Sequence, residues 1–397
     1  IATDKEEFQP VVSPDGKEIA YLEDRNTVKI FNLESKTTRT IVPAGQNFSY
    51  RDGDQDFIWS LDSKWLVVRS SMGMYGASYL VAYDVLNPGE GTKLTNSGFS
   101  DGGPLWAMNG KAMLWVNDKD GKRPLAYQGA REVDIYAMFF DKGAYDRFML
   151  SKEEFDLVKE QEDKEKDEEK ESDKDEGKKK GKVDKKKPTT PDWNPNFEHV
   201  EDWRVKLTPG SVNLASYKIS PKGDKLYFMA RFEKDYDIWE VDTRTKELKS
   251  LAKIGSRGGR MEISKDGDNL FVMASGRIQK IETKNGKVSP VSIDAEMILD
   301  AAAEREYIFH HAWRQVKRKF YDPNLHGIDW EMYRENYAKF LPHINNNYDF
   351  QELLSELLGE LNGSHTGGRY YHRPENGDIT ASLGLFYDEK VGGNGLI

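Results

Sequence analysis

The chain of 397 residues contains no cysteine, so disulfides, thiolate nucleophiles and cysteine-ligated zinc are excluded. That absence does not fix the compartment. No apolar run approaches the roughly 20 residues that a membrane-spanning helix needs, and no membrane partner is expected. Basic surface is also lacking: the formal net charge is −10, whereas nucleic-acid binding needs a basic face to neutralise phosphates, so no nucleic-acid partner is expected either. Six of the seven histidines fall after residue 309, yet there is no His-Glu-x-x-His, and His310, His311, His326, His343 and His372 are scattered without ligand spacing. They read as surface or capping residues, and neither a metal nor another cofactor is expected. The opening Ile1-Ala2-Thr3-Asp4-Lys5 looks like neither a signal peptide nor a native start. With Gly392-Gly393-Asn394-Gly395-Leu396-Ile397 stopping inside a strand-like pattern, the expectation is a fragment cut at both ends.

What is present first is a repeat. Val11-Val12-Ser13-Pro14-Asp15-Gly16-Lys17-Glu18-Ile19-Ala20-Tyr21 reads as strand, tight turn and strand, and its pattern returns around Ser60, Ala107, Ser220 and Ser264. The step is 47 residues from Ser13 to Ser60 and from Ser60 to Ala107, and 44 from Ser220 to Ser264, a propeller-blade period. A third strand ending in Asp or Asn follows each turn, as in Val28-Lys29-Ile30-Phe31-Asn32. Alternation in these runs gives one buried and one wetter face, as stacked four-stranded blades require. The Ser-Pro-Asp-Gly-Lys turn resembles TolB and peptidase-associated propellers more than WD40 repeats. The expected fold is therefore an all-β propeller over 1–290 with five visible TolB-like blades. Ala107 to Ser220 is 113 residues, and a charged insert over 150–190 accounts for most of the excess. Its core, Lys152 to Lys187, is almost wholly Glu, Asp and Lys and is expected to be a solvated, disordered loop. Order is expected again from Trp193 and Phe197, with Trp203-Arg204-Val205-Lys206-Leu207 as a blade-edge strand.

After Val291 the period changes to helical, with Ile298, Ala302, Arg305, Phe309, Trp313, Val316 and Phe320 on one face. A small α-helical domain is expected over 291–375. Tyr321-Asp322-Pro323-Asn324-Leu325-His326-Gly327 breaks its first helix, and Asp329 is placed to cap the next. Phe350, Leu353, Leu354, Leu357, Leu358 and Leu361 form one apolar stripe of a further helix, after which Gly363 suits a left-handed exit. Just past it stands Ser364-His365. A helix C-terminus favours imidazolium, the form a general base takes in the transition state, although a lone histidine after a helix is more often structural.

The stretch from Trp313 through Phe320-Tyr321-Asp322, His326-Gly327-Ile328-Asp329-Trp330 and Tyr337 to Leu358-Gly359-Glu360-Leu361-Asn362-Gly363-Ser364-His365 resembles the helical domain of the tricorn-type serine peptidases. Ala381-Ser382-Leu383-Gly384-Leu385-Phe386-Tyr387-Asp388 resembles the opening of that family's PDZ-like domain, giving a truncated PDZ-like segment over 378–397. The resemblance implies that His365 is the general base to a nucleophilic serine from a later α/β domain. It implies further that Ser364 belongs to the hydrogen-bond network with a glutamate from the same domain. Neither the nucleophile nor the glutamate has a counterpart here, so the fragment is expected to be inactive alone while its parent degrades oligopeptides through an acyl-enzyme. The related C-terminal processing peptidases carry Asp before the His and use a Ser-Lys dyad, so Ser364 favours the tricorn side.

Peptide substrates are the implied partners, the full-length protein's homo-oligomeric state is left open, and a cytoplasmic setting follows from the resemblance unless the parent carries an export signal, which would make it periplasmic. Two other readings stand beside this one. A prolyl-oligopeptidase plan needs Gly-x-Ser-x-Gly after a strand, and Gly363-Ser364-His365-Thr366-Gly367 places Ser one position early and after a helix. The alternative is a non-catalytic propeller and PDZ module that binds peptides, with His365 only capping a helix.

Overall fold

The computed structural model describes residues 3–50, 52–71, 77–124, 131–175 and 195–372, with 165–175 described by backbone alone. The chain divides into two compact units between Ile293 and Asp294. Among the described residues the first unit consists of five four-stranded antiparallel sheets over 7–42, 57–93, 101–206, 213–256 and 260–291, each with its strands in sequence order. Alternating side chains explain why the sheets stack. In the strand Lys225–Arg231 of the fourth sheet, Leu226, Phe228 and Ala230 pack toward the third sheet, while Tyr227 and Met229 pack toward the fifth. Leu66 and Val68 of the second sheet likewise face the first, and Val67 faces the third. Four apolar clusters thus join neighbouring sheets, and each fully buried Leu, Ile or Phe contributes about 1.5–3 kcal/mol.

Every repeated turn joins the first two strands of one sheet. Ser13, Ser60, Ser220 and Ser264 each donate a backbone N–H to the carbonyl five residues on, at 2.8 to 2.9 Å. Their hydroxyls accept the N–H of that same residue (Glu18, Trp65, Lys225 and Asn269) at 3.0 to 3.1 Å. Each hydroxyl donates in turn to an aspartate of the turn: Asp15, Asp62, Asp224 and Asp266 respectively. Ala107 has no hydroxyl to offer, and its turn is closed by a 3-10 segment, Met108–Gly110, in which Asn109 (φ 56°) and Gly110 (φ 82°) are left-handed.

The charged insert departs from the sequence expectation. Helix α1, Lys142–Met149, is followed by α2, Lys152–Asp175, so the acidic half expected as a disordered loop is helical. Ser151 and Glu154 supply the reason in a reciprocal capping box: Glu154 N–H donates to Ser151 Oγ at 3.2 Å, and Ser151 N–H to Glu154 Oε2 at 2.8 Å. Phe155 anchors the first turn beneath the guanidinium groups of Arg244 and Arg147, 4.0 and 5.1 Å from its ring centroid. Strong helix formers do the rest, with ion pairs such as Lys164 to Glu160 along the surface. The basic part, Lys178 to Lys187, and Trp193 lie outside the described residues. Arg204–Lys206 forms the fourth strand of the third sheet.

The second unit holds three longer helices: α3, Ala301–Lys319, α4, Trp330–Ala338, and α5, Asn347–Gly359. Their N-caps are Asp300, Asp329 and Asn346, whose side chains accept first-turn N–H groups and satisfy donors that a helix start leaves open. Phe309, Trp313, Leu325, Trp330, Phe350, Leu353, Leu357 and Leu361 form the core. Trp313 and Trp330 tie α3 to α4 by exchanging indole N–H bonds to each other's carbonyls, at 2.9 and 3.1 Å. Ile298, expected on the apolar face of the first helix, precedes the Asp300 cap and is fully exposed. The segment expected to open a PDZ-like domain, 378–397, lies outside the described residues.

Candidate functional site

The apolar stripe of α5 directs the site. Phe350, Leu353 and Leu357 are buried on one face, and Leu361 continues the stripe just past the end of the helix. Beyond Gly359 the chain unwinds through short-range bonds, Leu361 N–H to Leu358 O and Asn362 N–H to Gly359 O. The left-handed residue of this exit is Asn362 (φ 45°), which corrects the assignment of that role to Gly363. Asparagine is among the few non-glycine types that adopt this conformation readily. Gly363 is not left-handed, and a Cβ there would meet Cζ of Phe320 and Cγ2 of Thr366 at 3.4 Å, an ordinary contact distance.

Ser364 and His365 then form a tight turn, with His365 itself left-handed at φ 62°. Both side chains are exposed, and neither makes a hydrogen bond among the described residues. The backbone on either side is held firmly. Thr366 Oγ1 donates to Gly363 O at 3.0 Å, closing the turn on itself. Ser355, on α5, donates its hydroxyl to Gly368 O and accepts Gly368 N–H, each at 3.0 Å, while Gln351 Nε2 donates to Ser355 Oγ at 3.1 Å. On the other flank Tyr337 donates to Glu360 Oε1 at 2.7 Å, and burial together with that carboxylate pushes the Tyr337 phenol up to about 12. The result is a braced loop with a free imidazole at its apex.

The imidazole that meets the helix end is not His365. His326 Nδ1 lies 2.8 Å from Leu361 O, while Tyr321 Oη bonds its Nε2. Dipole assistance falls off within the last turn, and His365 stands six residues past Gly359, so the helix-end argument does not reach it. The sequence reads His326 as a surface or capping residue for want of ligand spacing, and its bond to Leu361 O fits the capping role; the partner, 35 positions away, is what the sequence does not show. The signal available was a histidine followed by glycine in a helix-breaking loop. Among the described residues no group of three or more His, Cys, Asp or Glu side chains is placed to hold a metal ion, and no described helix is long and apolar enough to cross a membrane.

Residues 301–359, covering α3, α4 and α5, match the family model described as the tricorn protease C1 domain. A protein of Streptomyces coelicolor named tricorn protease homolog 2 is 35% identical over 109 residues, 26% of this chain and 9% of that protein. A Sulfurisphaera tokodaii protein named as a tricorn-like protease C-terminal subunit is 25% identical over 211 residues, 49% of this chain and 24% of its own length. The crystal structure of the tricorn protease aligns with a TM-score of 0.61 at 13% identity, over 91% of this chain and 33% of that one. The chain thus matches between a tenth and a third of the length of these proteins. It shares the tricorn arrangement of stacked sheets followed by a small helical domain, and its helical part is tricorn-like in sequence.

Proposed function

We propose that this chain is part of a tricorn-like serine peptidase acting on oligopeptides, with His365 as general base and Ser364 beside it in the hydrogen-bond network. The carrying observation is the braced turn directly after the tricorn C1 match: an exposed imidazole with no hydrogen-bond partner among the described residues, on a backbone tied at both flanks. A histidine retained to cap or brace its own domain would be engaged there, as His326 is. A base awaiting a serine hydroxyl from elsewhere needs a free ring nitrogen in a fixed direction, because proton transfer depends on geometry before acidity. Acylation would proceed with the serine oxygen attacking the peptide carbonyl as its proton passes to His365; the base then returns that proton to the leaving amine. The nucleophile and the orienting glutamate come, in this reading, from outside the described residues, and the chain by itself is inactive.

The sheet unit would supply substrate access. A cavity of about 250 Å³ opens among the turns at the ends of the second to fifth sheets, lined by Leu61, Trp106, Met108 and Pro221 together with polar Asn109, Ser220 and Lys265. Mixed walls of this kind suit an uncoiled peptide, which contacts them through side chains and carbonyls. The test is covalent labelling of the longer protein with a fluorophosphonate. Wild type should be labelled, His365→Ala should not, and this chain alone should stay unlabelled. Labelling of His365→Ala at the wild-type rate would overturn the base assignment and favour a peptide-binding module.

A further inference from the structure

Among the described residues of the helical unit, Tyr321 to Gly327 holds the longest run of left-handed backbone. Leu325, His326 and Gly327 take φ values of 51°, 57° and 77° in succession, a run that carries a cost at the first two positions. Two local features hold it there. Leu325 is buried against the helical core, and the Asp322 carboxylate accepts Asn324 N–H and His326 N–H, each at 3.0 Å. The outcome is an aimed imidazole. A carbonyl oxygen can only accept, so His326 Nδ1 carries the proton shared with Leu361 O, and in the neutral ring Nε2 receives the Tyr321 hydroxyl. Phe320 stands edge-on to His326 at 5.1 Å between ring centroids and lies against Gly363 on its other side.

Leu361 is 1% exposed, so its carbonyl depends on a protein donor, and His326 is the one supplied. What a fixed protein donor adds is direction. Leu361 is the last core residue before the chain turns left at Asn362, three positions ahead of Ser364. We propose that His326 is a positioning residue: its Nδ1–H bond to Leu361 O fixes the exit from α5 and thereby the direction in which the Ser364-His365 turn is presented. The inference rests on the reading of His365 as general base for its catalytic consequence, and on this chain's geometry alone for the clamp.

Asparagine and aspartate at position 326 separate the cases. Both accept a left-handed backbone, and both place an atom where Nδ1 stands, but Asn offers an N–H and Asp an oxygen that the carbonyl repels. In His326→Asp of this chain, amide hydrogen exchange at the bonded N–H groups of Leu361, Asn362 and Gly368 should quicken on the order of tenfold, while His326→Asn should stay within about twofold of wild type. In the longer protein that carries the nucleophile, His326→Asp should lower kcat about tenfold with KM little changed, and His326→Asn should restore kcat. Equal exchange in the two variants overturns the clamp. Faster exchange in His326→Asp with full kcat, alongside a dead His365→Ala, overturns its catalytic consequence. If both His326→Asp and His365→Ala keep full activity, the base assignment is what fails, and the exchange measurement alone decides for or against the clamp.

Discussion

Serines occupy tight turns in both halves of this molecule, and they are used in opposite ways. In the sheet unit Ser13, Ser60 and Ser220 are buried, and with Ser264 their hydroxyls both donate to an aspartate and accept a backbone N–H. In the helical unit Ser364 is exposed and its hydroxyl has no bond among the described residues, as has the ring of His365 beside it. The difference separates a group that holds a turn from a group that a turn holds out. Around Ser364 and His365 the bracing falls to neighbours, Thr366, Ser355 and Tyr337, so that the two polar side chains are left for something else.

The largest effect should come from the exposed pair. His365→Ala in the longer protein should reduce kcat on peptides by on the order of 10²–10⁴, the usual share of general acid–base catalysis, with Ser364→Ala costing less. Unfolding of this chain should be insensitive to both, within about 0.5 kcal/mol, since neither side chain is buried or bonded among the described residues. A large stability loss without loss of activity would make the pair structural after all and dissolve the contrast.

Ser220→Ala should do the reverse. It removes the acceptor used by Asp224 N–H and Lys225 N–H at 3.1 Å and the donor to Asp224, at a residue 7% exposed. Deleting one member of such a buried set costs about 1–3 kcal/mol. Urea unfolding followed at the sheet-unit transition should show the midpoint drop, while fluorophosphonate labelling of the longer protein below that midpoint stays unchanged. Ala107 marks the limit of the rule, because its turn closes without a hydroxyl by drawing on left-handed Asn109 and Gly110.

These contrasts also show which parts of the molecule could be read from residues alone. The blade turns were legible because each is closed by partners within five positions and recurs at a fixed step, so every copy supports the others. The caps at Asp329 and the stripe of α5 were legible for the same reason of locality. The reading of Lys152–Asp175 as disordered weighed charge alone and passed over the Ser151-Glu154 box and the Phe155 anchor, of which the box was local and readable. The exit through Asn362 and the His326 clamp escaped for a different reason. Glycine preference favoured Gly363, but the chain takes the left-handed conformation one residue earlier at Asn362, and the clamp joins residues 35 positions apart.

The smallest predicted effect concerns two turn aspartates, exposed Asp266 in the fifth sheet and half-buried Asp322 before His326. Both carboxyls are held below the usual range: Asp266 chiefly by the Ser264 hydroxyl and then Asp268 N–H, Asp322 chiefly by Asn324 N–H and then His326 N–H. A carboxylate whose folded value is depressed stabilises its turn above the unfolded value, and that contribution is lost as pH falls through the folded one. Acid should therefore loosen both turns while leaving the apolar cores in place, with different consequences in each unit. At Asp266 the serine hydroxyl still accepts Asn269 N–H at 3.0 Å, so the strand-to-strand turn persists. At Asp322 protonation weakens the acceptor that orients His326, and Leu361 O should lose its donor as the loop relaxes. Amide proton shifts of Asn324 and His326 should then titrate together, with a midpoint below the ordinary aspartate value, and Leu361 and Asn362 should follow them. In Asp322→Asn, which can accept through one oxygen only, that titration should vanish and the Leu361 signals should sit near their acid positions at neutral pH. A midpoint at or above the ordinary value, or Leu361 signals indifferent to the Asp322 titration, would show that the loop aims His326 without help from its carboxylate, leaving Leu325 burial as the sole local source of the strained run.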